Sequence, residues 1–149
     1  QAEVTDATGN HVPNTTVSFT ADNGATVITA SATTDGQGLA STTLTNVKAG
    51  ITKVTATVNG NSQNVSTTFV ADDSTSTITS SNLTVTVNNA KADGVDINTV
   101  QAKVTDAQGN SVPNVTVSFT ANNGAGVVTS SATTDIQGFA STNLTNITA

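Results

Sequence analysis

The sequence predicts an all-β protein built from tandem β-sandwich domains, and three observations support this prediction. Residues 1–49 recur without a gap at residues 101–149, with identity at 36 of 49 aligned positions. Short segments alternate apolar and polar residues with the period of two that is typical of half-buried strands. No segment shows the period of 3.6 that an amphipathic helix requires. The repeat length of 100 residues matches one small domain and exceeds the roughly 20–50 residues of a solenoid unit.

Each predicted strand places alternate side chains on one face. Val17 and Phe19 form one such set, which Val117 and Phe119 repeat. About seven short strands in each complete unit, separated by Asp/Gly/Asn turns, predict an antiparallel two-sheet sandwich of Greek-key, immunoglobulin-like kind. The other sets are Ala40/Thr42/Leu44, Val54/Ala56/Val58, Val65/Thr67/Phe69, Leu83/Val85/Val87, Val100/Ala102/Val104 and Ala140/Thr142/Leu144.

The predicted core is small. Cys, Met, Trp and Tyr are absent, so we expect Val, Leu, Ile and the four Phe to fill it. A core of this size predicts only modest stability for each domain. In the turns at 35–38 and 135–138, Asp35 and Asp135 are expected to accept hydrogen bonds from backbone N–H groups, as in Asx turns.

The best candidate for a domain junction is the segment ADDSTST at 71–77, which is polar and lacks alternation. It predicts one domain at 1–72 and another at 73–149. By comparison of the two repeats, 1–72 is expected to lack the first strand of the fold. Residues 73–149 are expected to lack the last two strands, the counterpart of 50–72. Either the chain is part of a longer repeat protein, or a neighbouring chain supplies the strands.

Composition and charge exclude several functions. The net charge is −6, with four Lys and no Arg, so no basic surface exists for nucleic acid. No apolar run approaches the about 18 residues of a membrane span. Without Cys, neither disulfides nor thiolate metal sites can form. His11 is the only histidine and Ser111 replaces it in the second repeat. We therefore expect an exposed turn residue and no enzyme activity.

Acidic residues are the only candidates for a metal site. Asp72 and Asp73 lie in the expected junction, and Asp93 and Asp96 follow about twenty residues later. If the chain returns past the junction, the four carboxylates could supply oxygen ligands to a structural Ca²⁺ between the domains. The spacing matches no known calcium loop, and the alternative is that these are solvated turn and linker residues. No other cofactor is expected.

Four short motifs resemble a known family. They are ADG at 92–94, V-x-D-x-x-G-N-x-V-P at 104–113, V-x-F at 117–119 and T-T-D-x-x-G-x-A at 133–140, and the first repeat contains the last three. Together they resemble group 1 bacterial immunoglobulin-like (Big) domains, which form the extracellular stalks of intimin- and invasin-type adhesins, the inverse autotransporters. The resemblance covers nearly the whole chain.

The resemblance implies a stalk on the surface of a Gram-negative bacterium, anchored in the outer membrane by other parts of the protein. In that interpretation the repeats contact neighbouring repeats and hold a distal binding domain toward host cells. The alternative is that the repeats bind directly, either to a host receptor or to the same repeats on another cell in autoaggregation or biofilm.

Overall fold

The computed structural model describes residues 1–149, and the chain divides into two compact units, Gln1–Val70 and Ala71–Ala149. Both units consist of antiparallel strands, and the only helices are two single 3₁₀ turns, Asp73–Thr75 and Ser80–Asn82. This confirms the all-β prediction. The structure has no helix with the length and apolar character needed to cross a membrane.

The first unit contains eight strands. A four-stranded sheet has the order β4-β2-β7-β8, and two short pairs, β1-β5 and β3-β6, form the rest of the sandwich. The long hairpin β7-β8 turns at Asn59–Gly60, and β7 pairs with β2 in a register that places Ala56 opposite Phe19. The strands are β1 (Ala2–Glu3), β2 (Thr16–Ala21), β3 (Thr26–Val27), β4 (Ser31–Thr33), β5 (Leu39–Ala40), β6 (Leu44–Thr45), β7 (Gly50–Val58) and β8 (Asn61–Phe69).

The second unit contains six strands. One sheet has the order β12-β14-β10-β9, and β11 pairs with β13. The residues that form the separate strands β5 and β6 in the first unit correspond here to one continuous strand, β14. The strands are β9 (Leu83–Val87), β10 (Asn98–Lys103), β11 (Thr116–Ser118), β12 (Gly126–Val127), β13 (Ser131–Thr133) and β14 (Phe139–Thr145).

Each unit has its own core, and the predicted strand faces account for most of it. In the first unit the buried apolar residues Val17, Phe19 and Ala40 cluster together. In the second unit the corresponding Val117, Phe119 and Ala140 are joined by three more buried residues. Those three are Ala102, Val104 and Val112.

The cores contain less than the sequence predicted. No Leu or Ile is among the buried apolar residues, and of the four Phe only Phe19 and Phe119 are buried. The expectation that all four Phe lie in the core is therefore wrong: Phe69 and Phe139 are only partly buried. Buried Thr hydroxyls occupy part of the interior instead. Thr134 in the second unit donates to Val112 O at 2.8 Å and accepts from Val115 N at 2.9 Å, so its burial leaves no polar group unsatisfied.

A glycine is required where two turns meet in the second unit. Gly138 has a φ of +81°, and a Cβ at this position would lie 2.7 Å from the carbonyl oxygen of Val104. The backbone N–H of Val104 donates to Gly138 O at 2.8 Å, so the two strands are held at this close approach. Gly38 has the same role in the first unit, where the distance to Val4 O is 2.6 Å.

Candidate functional site

The most densely hydrogen-bonded carboxylate of the second unit belongs to Asp106, in the turn that follows β10. The residue is only 3% exposed. Its Oδ1 accepts hydrogen bonds from the backbone N–H groups of Gln108 at 3.0 Å and Asn110 at 2.8 Å. Its Oδ2 accepts from Asn110 Nδ2 at 2.8 Å and from the backbone N–H of Asp72 at 3.1 Å. One buried carboxylate therefore joins this turn to the start of the unit.

Residues 71–77 are fixed to the second unit by further contacts. Ala71 packs against its core. Ala107 N donates to Thr75 Oγ1 at 3.1 Å, and Thr77 exchanges two backbone hydrogen bonds with Thr105, at 2.8 and 3.0 Å. The segment expected to be a linker thus forms part of the second unit. The boundary between the compact units lies after Val70, whereas the sequence placed it after residue 72.

The electrostatics of the Asp106 turn favour the ionised acid. Burial alone raises the pKa of a carboxyl group. Hydrogen bonds to the carboxylate, first from the Asn110 side chain and then from backbone N–H groups, outweigh burial and hold the pKa of Asp106 below its ordinary value. The site is therefore an anionic clamp, in which N–H donors surround the charge of the carboxylate.

The equivalent turn of the first unit is exposed. Asp6 accepts hydrogen bonds from the backbone and side chains of Thr8 and Asn10, at 2.8–2.9 Å. These bonds, led by the one from the Asn10 side chain, lower the pKa of Asp6. The local turn is therefore the same in both repeats, and Asp106 also accepts from the backbone N–H of Asp72.

Two of the four acidic residues predicted as metal ligands, Asp72 and Asp93, use their carboxylates in local turns. Asp73 and Asp96 take part in these turns through backbone atoms. Asp72 accepts from Ser74 N at 3.2 Å and Ser74 Oγ at 2.6 Å, and so caps the first 3₁₀ turn. Asp93 accepts from the backbone N–H groups of Asp96 at 2.8 Å and Val95 at 2.9 Å, and these bonds, the one from Asp96 first, lower its pKa. Asp73 lies in the 3₁₀ turn and accepts through its backbone carbonyl from Ser76.

Nowhere in the structure do three or more His, Cys, Asp or Glu side chains lie close enough together to hold a metal ion. The carboxylates of Asp72 and Asp93 instead complete local turns. The expected Ca²⁺ site between the domains therefore stays a prediction from the sequence. Asp106, which was not among the residues predicted to form a site, is the acid with the most structural contacts in this region. The signal that could have found it is the repetition of V-x-D-x-x-G-N at 4–10 and 104–110.

The remaining candidates have structural roles. His11 is exposed, as predicted, and its Nδ1 lies 3.2 Å from Glu3 Oε1. Asp35 accepts from Gln37 N and Leu39 N at 2.9 and 3.0 Å, and Asp135 makes the equivalent bonds. These bonds confirm the predicted Asx turns.

Comparison with known proteins places both repeats in one family. The model of the bacterial Ig-like domain (group 1) matches residues 1–70 and 80–149. No curated protein sequence matches the chain.

Solved structures similar to the chain include two intimin fragments and invasin. The D0-D1 domain of intimin is 30% identical, with a TM-score of 0.44, over 97% of this chain and 73% of that chain. The D00-D0 domain of intimin is 25% identical, with a TM-score of 0.44, over 90% and 73%. Invasin, described as a bacterial integrin-binding protein, is 27% identical with a TM-score of 0.41, and this chain spans 29% of its length. Since the family model covers both repeats, the chain belongs to the bacterial Ig-like domain (group 1) family.

Proposed function

We propose that these two repeats are spacers in the stalk of a bacterial surface adhesin. In this role they lie outside the cell and hold a distal binding domain away from the outer membrane, to which other parts of the protein attach. The observation that carries the proposal is the tandem repetition of one family domain, since the bacterial Ig-like domain (group 1) matches both 1–70 and 80–149. The clamp at Asp106 fixes the first residues of the second unit.

The binding of the segment 71–77 to the second unit has a mechanical consequence. A flexible linker lets domains reorient freely, and its reach grows with its length. Here the polar segment 71–77 is bound by Asp106, Ala107 and Thr105 and is not available as a free linker.

The proposed role is non-enzymatic. Membership of an Ig-like family, together with the structural roles of His11 and the Asp turns, supports binding or spacing over catalysis. The partners in this proposal are neighbouring repeats of the same protein, and the host receptor contacts another part of the adhesin.

Binding to host epithelial cells tests the proposal. The chain would be labelled at a single introduced Cys, Gln37→Cys, in an exposed turn, because the natural sequence contains none. The matched control carries the label at the equivalent Gln137→Cys. A spacer shows no saturable binding with either label. Saturable binding that an excess of unlabelled chain displaces would contradict the spacer role.

A second candidate function is direct binding between repeats of neighbouring molecules. The observation that favours it is that apolar side chains on strands β8 and β9 are exposed to solvent. Val65 of β8 is 67% exposed and Val85 of β9 is 56% exposed. Extended strands with exposed edges and apolar side chains can pair with other chains. Sedimentation velocity over a range of concentrations would detect self-association. Val65→Thr and Val85→Thr should then weaken it, whereas a monomer at all concentrations would exclude this function for the pair of repeats.

A further inference from the structure

Three Asn-Gly dipeptides occupy tight turns, and in each the Asn has a left-handed backbone. Asn23, Asn59 and Asn123 have φ values of 54°, 49° and 54°, and each is followed by a glycine with φ between 73° and 80°. Two residues with positive φ are typical of the type I′ turns that connect hairpin strands. The local backbone is therefore nearly the same at all three positions.

Asn-Gly sequences are chemically labile. The backbone nitrogen of the glycine, once deprotonated, can attack Cγ of the preceding Asn side chain, and the absence of a Cβ on the glycine leaves this approach open. The new N–C bond closes a succinimide and the side-chain nitrogen leaves as ammonia. Water then opens the ring to give aspartate or isoaspartate. The step needs the carboxamide to rotate toward the glycine nitrogen, so contacts that hold the carboxamide oppose it.

The three carboxamides have different surroundings. Asn23 Nδ2 donates to Thr52 Oγ1 at 3.4 Å, and Thr52 is fully buried at 0% exposure. The same Nδ2 lies against Gly50, where a Cβ would be 3.5 Å away. The backbone carbonyl of Asn23 also accepts from Asn46 Nδ2 at 3.1 Å. The side chain of Asn23 is therefore held on one side by strand β7.

Asn59 has none of these restraints. It is exposed at the tip of the β7-β8 hairpin, its carboxamide forms no hydrogen bond, and a Cβ on Gly60 would meet no atom within 4 Å. Hairpin tips open locally at low free-energy cost. Asn123 is intermediate: its carboxamide is exposed and forms no hydrogen bond, but its backbone carbonyl accepts from Asn146 Nδ2 at 3.1 Å.

We propose that Asn59 is a site of spontaneous deamidation and that Thr52 protects Asn23 from the same reaction. Asn123 converts at an intermediate rate. Each conversion replaces a neutral carboxamide with a carboxylate and adds one negative charge to a chain whose net charge is already −6. Isoaspartate at position 59 also inserts one backbone atom into a two-residue turn, which disturbs the pairing of Val58 with Asn61. This inference does not depend on the spacer function.

Peptide mapping by mass spectrometry tests the proposal on the full chain during incubation in mildly alkaline buffer at body temperature. Conversion adds about one dalton to the peptide. We expect Asn59 to convert about tenfold faster than Asn23, the factor that one or two modest contacts supply. Equal rates at Asn23 and Asn59 would overturn the proposal.

Two further measurements isolate the cause. Thr52→Val removes the hydroxyl at nearly constant shape and should accelerate conversion of Asn23 several-fold while leaving Asn59 unchanged. An unchanged Asn23 rate in a folded variant would refute the protective role. In concentrated urea the wild-type chain should convert at all three positions at similar rates. If the order Asn59, Asn123, Asn23 persisted in urea, local sequence rather than structure would set it, and the proposal would fail.

Discussion

Asp106→Asn is the substitution that most directly perturbs the clamp at the start of the second unit. The Asn oxygen can still accept from the backbone N–H groups of Gln108 and Asn110. Its NH₂ group then takes the place of Oδ2 and faces two donors, Asp72 N and Asn110 Nδ2. Two hydrogen bonds to a buried charge are lost. The donors Asp72 N and Asn110 Nδ2 then face the NH₂ group of the new Asn, which cannot accept from them.

The size of the effect follows from these two bonds. A hydrogen bond to a charged group contributes about 1.5–3 kcal/mol. Because water can replace part of each lost bond, we expect the two losses together to lower the free energy of unfolding by about 2–4 kcal/mol. For a unit of 79 residues, Ala71–Ala149, this lowers the midpoint temperature by about 8–30 °C. Amide hydrogen exchange resolved by residue would measure the second unit separately from the first.

Asp6→Asn is the matched control. Asp6 is exposed, so water can satisfy the donors that lose their acceptor, and the first unit should lose much less stability. The reasoning would be refuted if Asp106→Asn and Asp6→Asn destabilised their units equally. It would also be refuted if Asp106→Asn left hydrogen exchange of Thr77 and Thr105 unchanged.

The same carboxylate predicts a pH dependence. Its pKa is lower in the folded unit than the ordinary value of 3.8, so the unfolded chain binds a proton more readily. The stabilisation is therefore complete above that value and is lost as the pH falls through the folded-state pKa. Unfolding of the second unit, followed from neutral to acid pH, should show a steeper loss of stability below pH 4 in the wild type than in Asp106→Asn. Parallel profiles would contradict this assignment.

Two further substitutions test the packing of the second unit by urea denaturation. Gly138→Ala should cost about 2–4 kcal/mol, because it adds a Cβ to a left-handed residue against the carbonyl oxygen of Val104. In the control Gly109→Ala the glycine has a similar φ, but an added Cβ would meet no atom within 4 Å, so the substitution should cost about 1 kcal/mol. Equal losses in the two variants would show that the close approach at Gly138 is unimportant. Thr134→Val should cost about 1–3 kcal/mol because Val115 N loses its acceptor. The exposed Thr133→Val should be nearly neutral, and a neutral Thr134→Val would refute a structural role for the hydroxyl.

The strands were predictable because alternation reports directly on burial. Val17 and Phe19 alternate with polar residues in the sequence, and both are buried in the first unit. The repeat extended the same prediction to Val117 and Phe119. A strand that packs on one face has a period of two regardless of its partners, so one sequence is enough to find it.

The interior polar groups were less predictable. Thr134 and the equivalent Thr34 are buried, although Thr at a strand end is typical of a solvent-exposed face. Their burial depends on a carbonyl acceptor 22 residues away in sequence, and alternation carries no information on such a contact. Asp106 was missed for the same reason, since the donor at Asp72 lies 34 residues upstream.

The exposed apolar residues also depend on tertiary contacts. Val65 and Val85 lie on strands that alternate as predicted, yet both are more than half exposed. Alternation identifies the face of a strand that can pack but not the element that covers it. The sequence could therefore predict the strands at 61–69 and 83–87, but it could not predict which of their side chains are buried in the core.

The central claim is that these repeats are spacers that do not themselves bind the host cell, and binding of the labelled chain to host epithelial cells tests it most directly. Because the natural chain has no Cys, one label can be attached at Gln37→Cys or at Gln137→Cys, equivalent exposed turn positions in the two units. The account predicts no saturable binding with either label. Saturable binding that an excess of unlabelled chain displaces would contradict it.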